Sequence, residues 1–217
     1  MPKITDTQRE SRRQQILDAA LRCFSRDGFH NTTTADIVRE SGVSQGTLYL
    51  YFATKDDIIV ALADDRRHGE ALLSALAEGE QDPVEGLALL LELYGRSLND
   101  PGRFDLRRVS VQGWAEALRK PAIQASIVGN TRAVQAQVAR LIERGQQAGR
   151  IRTDIEPTAL ARTLAAVFQG LTLQATLGEA FDLQAIGHVI GEMLRGLFVG
   201  AAPAAGARAQ TSEERSQ

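Results

Sequence analysis

The sequence predicts an all-α fold in two unequal helical parts followed by a tail. Three observations predict it. No stretch of the 217 residues alternates apolar and polar side chains as a half-buried strand would, and the breaks fall at helix-ending signals. Cap residues also stand at helical intervals along the N-terminal quarter.

The punctuation is densest in residues 32–60, TTTADIVRESGVSQGTLYLYFATKDDIIV. Thr33 and Asp36 have capping-box spacing and open a helix that carries Ile37 and Val38 inward. Gly42 stands where that helix must turn sharply, in a place for a residue that tolerates positive φ. Ser44 caps a second short helix through Tyr51, and Thr54 with Asp57 forms another box that opens a third. Two short helices joined by a three- to four-residue glycine turn place the second helix in a DNA major groove. An N-terminal three-helix helix-turn-helix domain over residues 1–54 is therefore expected, with double-stranded DNA as its partner.

The residues of the second helix suit that task. Between Ser41 and Lys55 there is no acid to repel phosphate. Gln45 is able to bond adenine in a bidentate manner, and Thr47 to reach a base edge or a thymine methyl. Gly46 allows close backbone approach, while Tyr49 and Lys55 suit phosphates, which position without reading sequence. Leu48 and Phe52, four apart, face the small core; Tyr51 fits either core or surface.

The segment resembles the tetracycline-repressor (TetR) family, whose DNA-binding unit shows T-x-x-I-A-x-x-x-G-V-S-x-G-T-L-Y-x-Y-F-x-x-K. Thr34, Ile37, Gly42, Val43, Ser44, Gly46, Thr47, Leu48, Tyr49, Tyr51, Phe52 and Lys55 match; Val38 departs, where the family usually has Ala. Upstream, ILDAALRCFSRDGFHNTT is similar to the family's first helix. The resemblance implies backbone clamps at Thr34, Tyr49 and Lys55 and groove-facing positions at Gln45, Thr47 and Leu50. Candidate DNA contacts are thus Thr33, Thr34, Ser44, Gln45, Gly46, Thr47, Tyr49, Leu50, Tyr51 and Lys55.

Charge argues for few, well-aimed contacts. The chain carries a formal charge of −2, and residues 1–55 hold 8 Lys/Arg against 6 Asp/Glu. A sequence-neutral architectural DNA binder, the alternative reading, normally shows more positive charge. Lys3, Arg9, Arg12 and Arg13 are placed where an arm is able to follow the DNA backbone. One Cys in 217 residues excludes an intramolecular disulfide, and Cys23, between Leu21 and Phe24, reads as a core thiol. A polar N-terminus and the absence of any long apolar run argue against a signal peptide or membrane span, and point to a cytoplasmic protein.

Helices are expected over 55–77, Pro83–Asn99, 103–118, Pro121–Gln147, Pro157–Leu177 and 183–198, with a connector between 149 and 157. These make a ligand-binding and dimerisation domain over residues 55–199; residues 200–217, poor in large apolar side chains, read as a disordered tail. In the penultimate helix Leu160, Leu164, Val167, Phe168 and Leu171 form a stripe, and Ala161, Ala165, Ala166 and Ala175 extend it to further sides. Ile186, Val189, Ile190, Met193, Leu194 and Leu197 do likewise in the last. Helices apolar over more than one face need partners on more than one side, which predicts a homodimer through this pair; the family resemblance implies the same dimer.

Residues 56–99 hold 10 acids and 3 bases, residues 100–152 10 bases and 4 acids. One reading is complementary solvated faces. A sharper one has some of Arg103, Arg107, Arg108 and Arg132 turned inward to hold an anionic head group. The candidate small-molecule site is Tyr94, Arg103, Phe104, Arg107, Gln112, Trp114, Asn130 and Phe168, and GWAEALRKP (113–121) resembles the effector domain of BetI-like family members. A ligand there would shift the two recognition helices from the roughly 34–36 Å spacing of successive major grooves, with the helix from Lys55 as the lever. The expected protein is a repressor released by ligand, a ligand-dependent activator or co-repressed regulator being the alternative. No cofactor or metal is expected: His30, His68 and His188 lack ligand spacing, and the glycines of GQQAG mark a helix end, so an enzyme fits poorly.

Overall fold

The computed structural model describes residues 6–64, 70–79, 81–178 and 182–197. Lys3, His68, Phe198 and the tail from 200 lie outside the described residues. Among the latter are ten helices and no strand: α1 (Asp6–Asn31), α2 (Thr34–Ser41), α3 (Gln45–Tyr51), α4 (Lys55–Ala63), α5 (Glu70–Glu78), α6 (Pro83–Asn99), α7 (Phe104–Ala117), α8 (Pro121–Gln147), α9 (Pro157–Leu177) and α10 (Leu183–Arg195).

Local chemistry sets the N-terminal boundaries. In both boxes the threonine hydroxyl accepts from the N3 amide and the N3 carboxylate accepts from the cap amide: Thr33 with Asp36, Thr54 with Asp57. Hydrogen bonds from the Thr33 hydroxyl and amide, and from Arg39, hold the Asp36 carboxyl at a pKa of about 2. Gly42 ends α2 at φ 70°, a left-handed conformation where an L side chain costs about 1–2 kcal/mol. α6, α8 and α9 begin with Pro83, Pro121 and Pro157 in the first turn, where a missing amide proton is harmless.

Two stretches depart from expectation. The helix anticipated over 55–77 is described in two pieces: α4 ends at Ala63 with Asp64 as its cap, α5 begins at Glu70, and residues 65–69 lie outside the described set. A short 3₁₀ turn, Pro101–Arg103, precedes α7, because the Asp100 carboxylate accepts from the Gly102 amide at 2.8 Å.

One core joins α1 to α4 through Ile16, Leu17, Phe24, Ile37, Leu48 and Ile58, and continues into Val109 of α7 and Ile123 of α8. Truncating any one of the fully buried large side chains is worth about 2–5 kcal/mol. A second core holds Leu76, Leu87, Leu141, Ile142, Ile151 and Ala161 between α5, α6, α8 and α9. α8 is the spine, packing against α4, α5, α6, α7 and α9. The unequal charge halves are knit by Lys120–Asp56 and Arg150–Asp82, each at 2.6 Å, and Arg144 donates to the α5 carbonyls of Leu76 and Ala77.

Candidate DNA-binding surface and effector cavity

α3 is short, and its inward face is used up by Leu48, fully buried, with Phe52 just beyond. Its other side is open. Gln45, Gly46, Tyr49 and Leu50 are exposed, Leu50 to 84 %, an extreme for a leucine in so ordered a place. Ser44 Oγ accepts from the Thr47 amide at 3.1 Å and lies 2.8 Å from the Thr47 hydroxyl. Tyr49 Oη stands 3.4 Å from Thr34 Oγ1, bringing α2 and α3 hydroxyls together at one edge. Tyr51 is half-buried against the core. Arg9, Arg12 and Arg13 lie on α1 itself rather than on an extended arm, with the Arg13 guanidinium 5.7 Å from the Phe52 ring centre.

Lys55 has a structural task that the sequence did not disclose. Its ammonium donates to the carbonyls of Phe29 (2.5 Å) and Thr32 (2.8 Å), so two of its three donors close the end of α1. That end is kinked at Gly28 (φ 82°, ψ 162°), a conformation open to glycine and strained for other residues. The kink leaves the Phe29 amide outside the helical ladder, and Gln112 of α7 receives it: Oε1 accepts from Phe29 N and Nε2 donates to Phe24 O, both at 3.1 Å. Gln112 is therefore a strut between the two parts of the chain and does not line the cavity described below.

Further ties cross the same junction. Ser25 donates to Asp105 at 2.5 Å. Glu116, 4 % exposed, receives Arg119 at 2.6 Å and lies 2.9 Å from His30 Nε2. Burial alone would raise the Glu116 pKa; Arg119 and His30 outweigh it and hold the carboxyl below its ordinary value. From α8, Asn130 Nδ2 donates to Ala63 O at 3.0 Å, and the Ser126 hydroxyl donates to Asp64 at 2.5 Å. The last turn of α4 is thus held by α8.

Four of the eight candidate ligand residues meet. Tyr94, Trp114, Asn130 and Phe168 line a cavity of about 420 Å³ between α5, α6, α7, α8, α9 and α10, walled mainly by Leu and Val. The size is that of a small-molecule site. Its polar groups are neutral: Tyr94, Asn130, Thr131, Gln135 and Gln169. Tyr94 and Phe168 rings pack with centroids 4.1 Å apart, and Tyr94 Oη bonds the Phe168 carbonyl (3.1 Å) and the Thr172 hydroxyl (2.5 Å). Burial pushes the Tyr94 phenol up, partly offset by Thr172 and by the Arg107 charge.

The expected inward arginines are not there. Arg103 and Arg107 line a neighbouring hollow, Arg108 lies over the Phe104 ring, and Arg132 is exposed on α8. Phe104 itself is 40 % exposed, outside the cavity. Guanidinium groups stay where water or carbonyls solvate them, and a wall of Leu and Val offers neither. Thr131 and Gln135, which the sequence reading missed, stand one and five residues beyond Asn130. Among the described residues no cluster of His, Cys, Asp and Glu is able to hold a metal ion, and no helix is long and apolar enough to cross a membrane.

α9 and α10 each show two faces. Ala161, Leu164 and Thr172 of α9 and Leu194 of α10 are buried. Val167, Leu173 and Leu177 of α9, and Val189 and Met193 of α10, are exposed, Met193 to 71 %.

An exposed recognition helix fixed on a helical body with its own cavity defines a helix-turn-helix DNA-binding protein. Residues 16–62 match the bacterial regulatory proteins of the tetR family, and residues 99–199 match the C-terminal domain of BetI-type transcriptional repressors. The HTH-type transcriptional repressor Rv1474c of Mycobacterium tuberculosis is 31 % identical over 188 residues, covering 82 % of this chain and 90 % of that one. Among solved structures, Salmonella enterica GusR is 25 % identical with a TM-score of 0.71, covering 90 % of this chain and 98 % of its own. A regulator from Saccharomonospora viridis, solved in complex with choline, is 28 % identical with a TM-score of 0.70, covering 87 % and 98 %. The chain belongs to the TetR family of bacterial regulatory proteins. It is a DNA-binding transcriptional regulator of a family whose members act as dimers.

Proposed function

We propose that this protein is a dimeric repressor, working in the bacterial cytoplasm without catalytic activity, that leaves a palindromic operator when a small molecule fills the cavity. One observation carries the reading: Asn130 both lines the cavity and donates to the last carbonyl of α4. A ligand that turns Asn130 or shifts α8 therefore acts on the helix that follows the recognition helix. Differential affinity for the two positions of α4 is the coupling free energy, typically about 1–3 kcal/mol. The structure of the S. viridis regulator with a bound ligand supports a ligand-responsive site in this fold.

In the same reading, Gln45, Thr47 and Leu50 face the groove, Thr33, Thr34, Ser44, Gly46, Tyr49 and Tyr51 approach the backbone, and Lys55 has one remaining donor for a phosphate. The outward faces of α9 and α10 pair about a two-fold axis, covering Val167, Leu177, Val189 and Met193. The net charge of −2 weighs against sequence-neutral binding.

Selection of bound fragments from randomised and genomic DNA tests this. The expected result is an enriched palindrome with half-sites about one helical turn apart. Tyr49→Phe should then weaken binding to all sequences, and Gln45→Ala should relax preference at one base pair. An unenriched pool, or both variants binding like the unmodified chain, refutes the assignment.

A further inference from the structure

The charges missing from the apolar cavity lie directly beside it. A second, more open hollow of about 750 Å³ shares Leu73, Leu90 and Tyr94 with the cavity as a common wall. Its lining holds three guanidinium groups, Arg96, Arg103 and Arg107, against one carboxylate, Asp100. Two of the three are already neutralised: Arg96 donates to Glu92 at 2.5 Å, and Arg103 lies 3.7 Å from Asp100. Arg107 differs. Its Nη1 donates to the uncharged carbonyls of Ser97 (2.8 Å) and Asp100 (3.1 Å), and its buried Nε has no hydrogen-bond partner. Among the described residues no carboxylate lies within ion-pair distance of it. The hydroxyls of Ser97, Ser110 and Thr172 share the lining.

A guanidinium that lines a hollow with no carboxylate paired to it is a site for an oxyanion. A neutral ligand gains nothing from that charge, and a cation meets net positive charge. The apolar cavity beyond Tyr94 asks for the opposite chemistry, an uncharged apolar body. We propose that the effector is an anionic amphiphile, its tail in the apolar cavity and its carboxylate or phosphate head at Arg107, passing beside Tyr94. This rests on the reading of the apolar cavity as the effector site.

Trp114, the chain's single tryptophan, lines the cavity, so its fluorescence reports occupation. The full chain is titrated with dodecanoate, dodecyl phosphate, dodecanol and dodecyltrimethylammonium below their micellar concentrations. The anionic probes are expected to bind about ten- to hundredfold tighter than dodecanol, the worth of a charge-assisted bond, and the cation more weakly than dodecanol. Whichever anionic arm is tighter identifies the head as carboxylate or phosphate. Arg107→Gln should bring dodecanoate to the affinity of dodecanol while dodecanol itself is unmoved. Arg107→Lys, which keeps the charge, should retain most of the anion preference; thermal melts of both variants report any loss of the Ser97 and Asp100 ties. Dodecanol binding as tightly as dodecanoate, or Arg107→Gln weakening every probe alike, overturns the anionic head and leaves the cavity reading standing. No probe changing Trp114 fluorescence or thermal stability overturns both.

Discussion

Replacing Gln112 by Leu tests how the DNA-binding unit is held to the rest of the chain. The side chains are of similar size, so the change removes two hydrogen bonds with little loss of packing. Phe29 N loses its acceptor beside the Gly28 kink, and Phe24 O loses a donor, both at 3.1 Å in the unmodified chain. Each bond is worth about 0.5–1.5 kcal/mol net, and stranding the part-buried Phe29 amide adds about 1–3 kcal/mol, for roughly 2–6 kcal/mol in all. In a chain of this length each kcal/mol moves the melting temperature by about 2–4 °C, so a fall of roughly 5–25 °C is expected. Trp114, two residues along α7, gives the melting signal. Gln112→Glu keeps the acceptor for Phe29 N but sets a carboxylate oxygen against Phe24 O, so it too should melt below the unmodified chain. If Gln112→Leu melts with the unmodified chain but no longer binds ligand, the strut is wrong and Gln112 belongs to the effector site after all.

Other substitutions probe the remaining ties. Lys55→Met should lower stability by about 2 kcal/mol, since its charge-assisted bonds close α1; a variant that melts normally but binds DNA poorly would make Lys55 a phosphate clamp alone. Asn130→Leu should reduce the effect of saturating dodecanoate on operator Kd by about fivefold, the worth of roughly 1 kcal/mol of coupling, and an undiminished effect in anisotropy titrations would remove Asn130 from the path. The lowered Glu116 pKa means that its contribution to stability is fully present above the ordinary carboxylate value and is lost as pH falls through the folded-state pKa. Melts below about pH 4 should therefore fall more steeply for the unmodified chain than for Glu116→Gln, and parallel curves would contradict the Glu116–Arg119 ion pair. Met193→Glu places a charge on an apolar face and should yield monomers in sedimentation experiments; an intact dimer would move the interface away from α10.

Much of the helical plan is written locally. A cap needs a side chain and an amide three residues apart, so Thr33 with Asp36, Ser44 with Thr47, and Thr54 with Asp57 are visible in any short window. The same holds for proline in the first turn of α6, α8 and α9, and for the turn glycine at 42. Exposure of α3 was legible too, because Leu48 and Phe52 claim one face and leave Gln45 and Leu50 the other.

What the sequence alone determined, then, is whatever is settled within a turn or two of helix: most of the helix boundaries, the helix-turn-helix, and the presence of Tyr94, Trp114, Asn130 and Phe168 at helical positions. Only the tertiary structure decided which polar side chains tie the fold together and which line the cavity. Gln112 bonds residues 83 and 88 positions away, Lys55 reaches back 26 and 23, and Asn130 meets Ala63 across 67. Arg103 and Arg107, candidates by sequence for holding an anionic head group, were placed by packing beside the apolar chamber rather than in it. A buried amide or carbonyl left over where a helix kinks or ends must find a partner wherever the folded chain offers one. That demand arises only once the helices are packed, and no spacing along the sequence announces it.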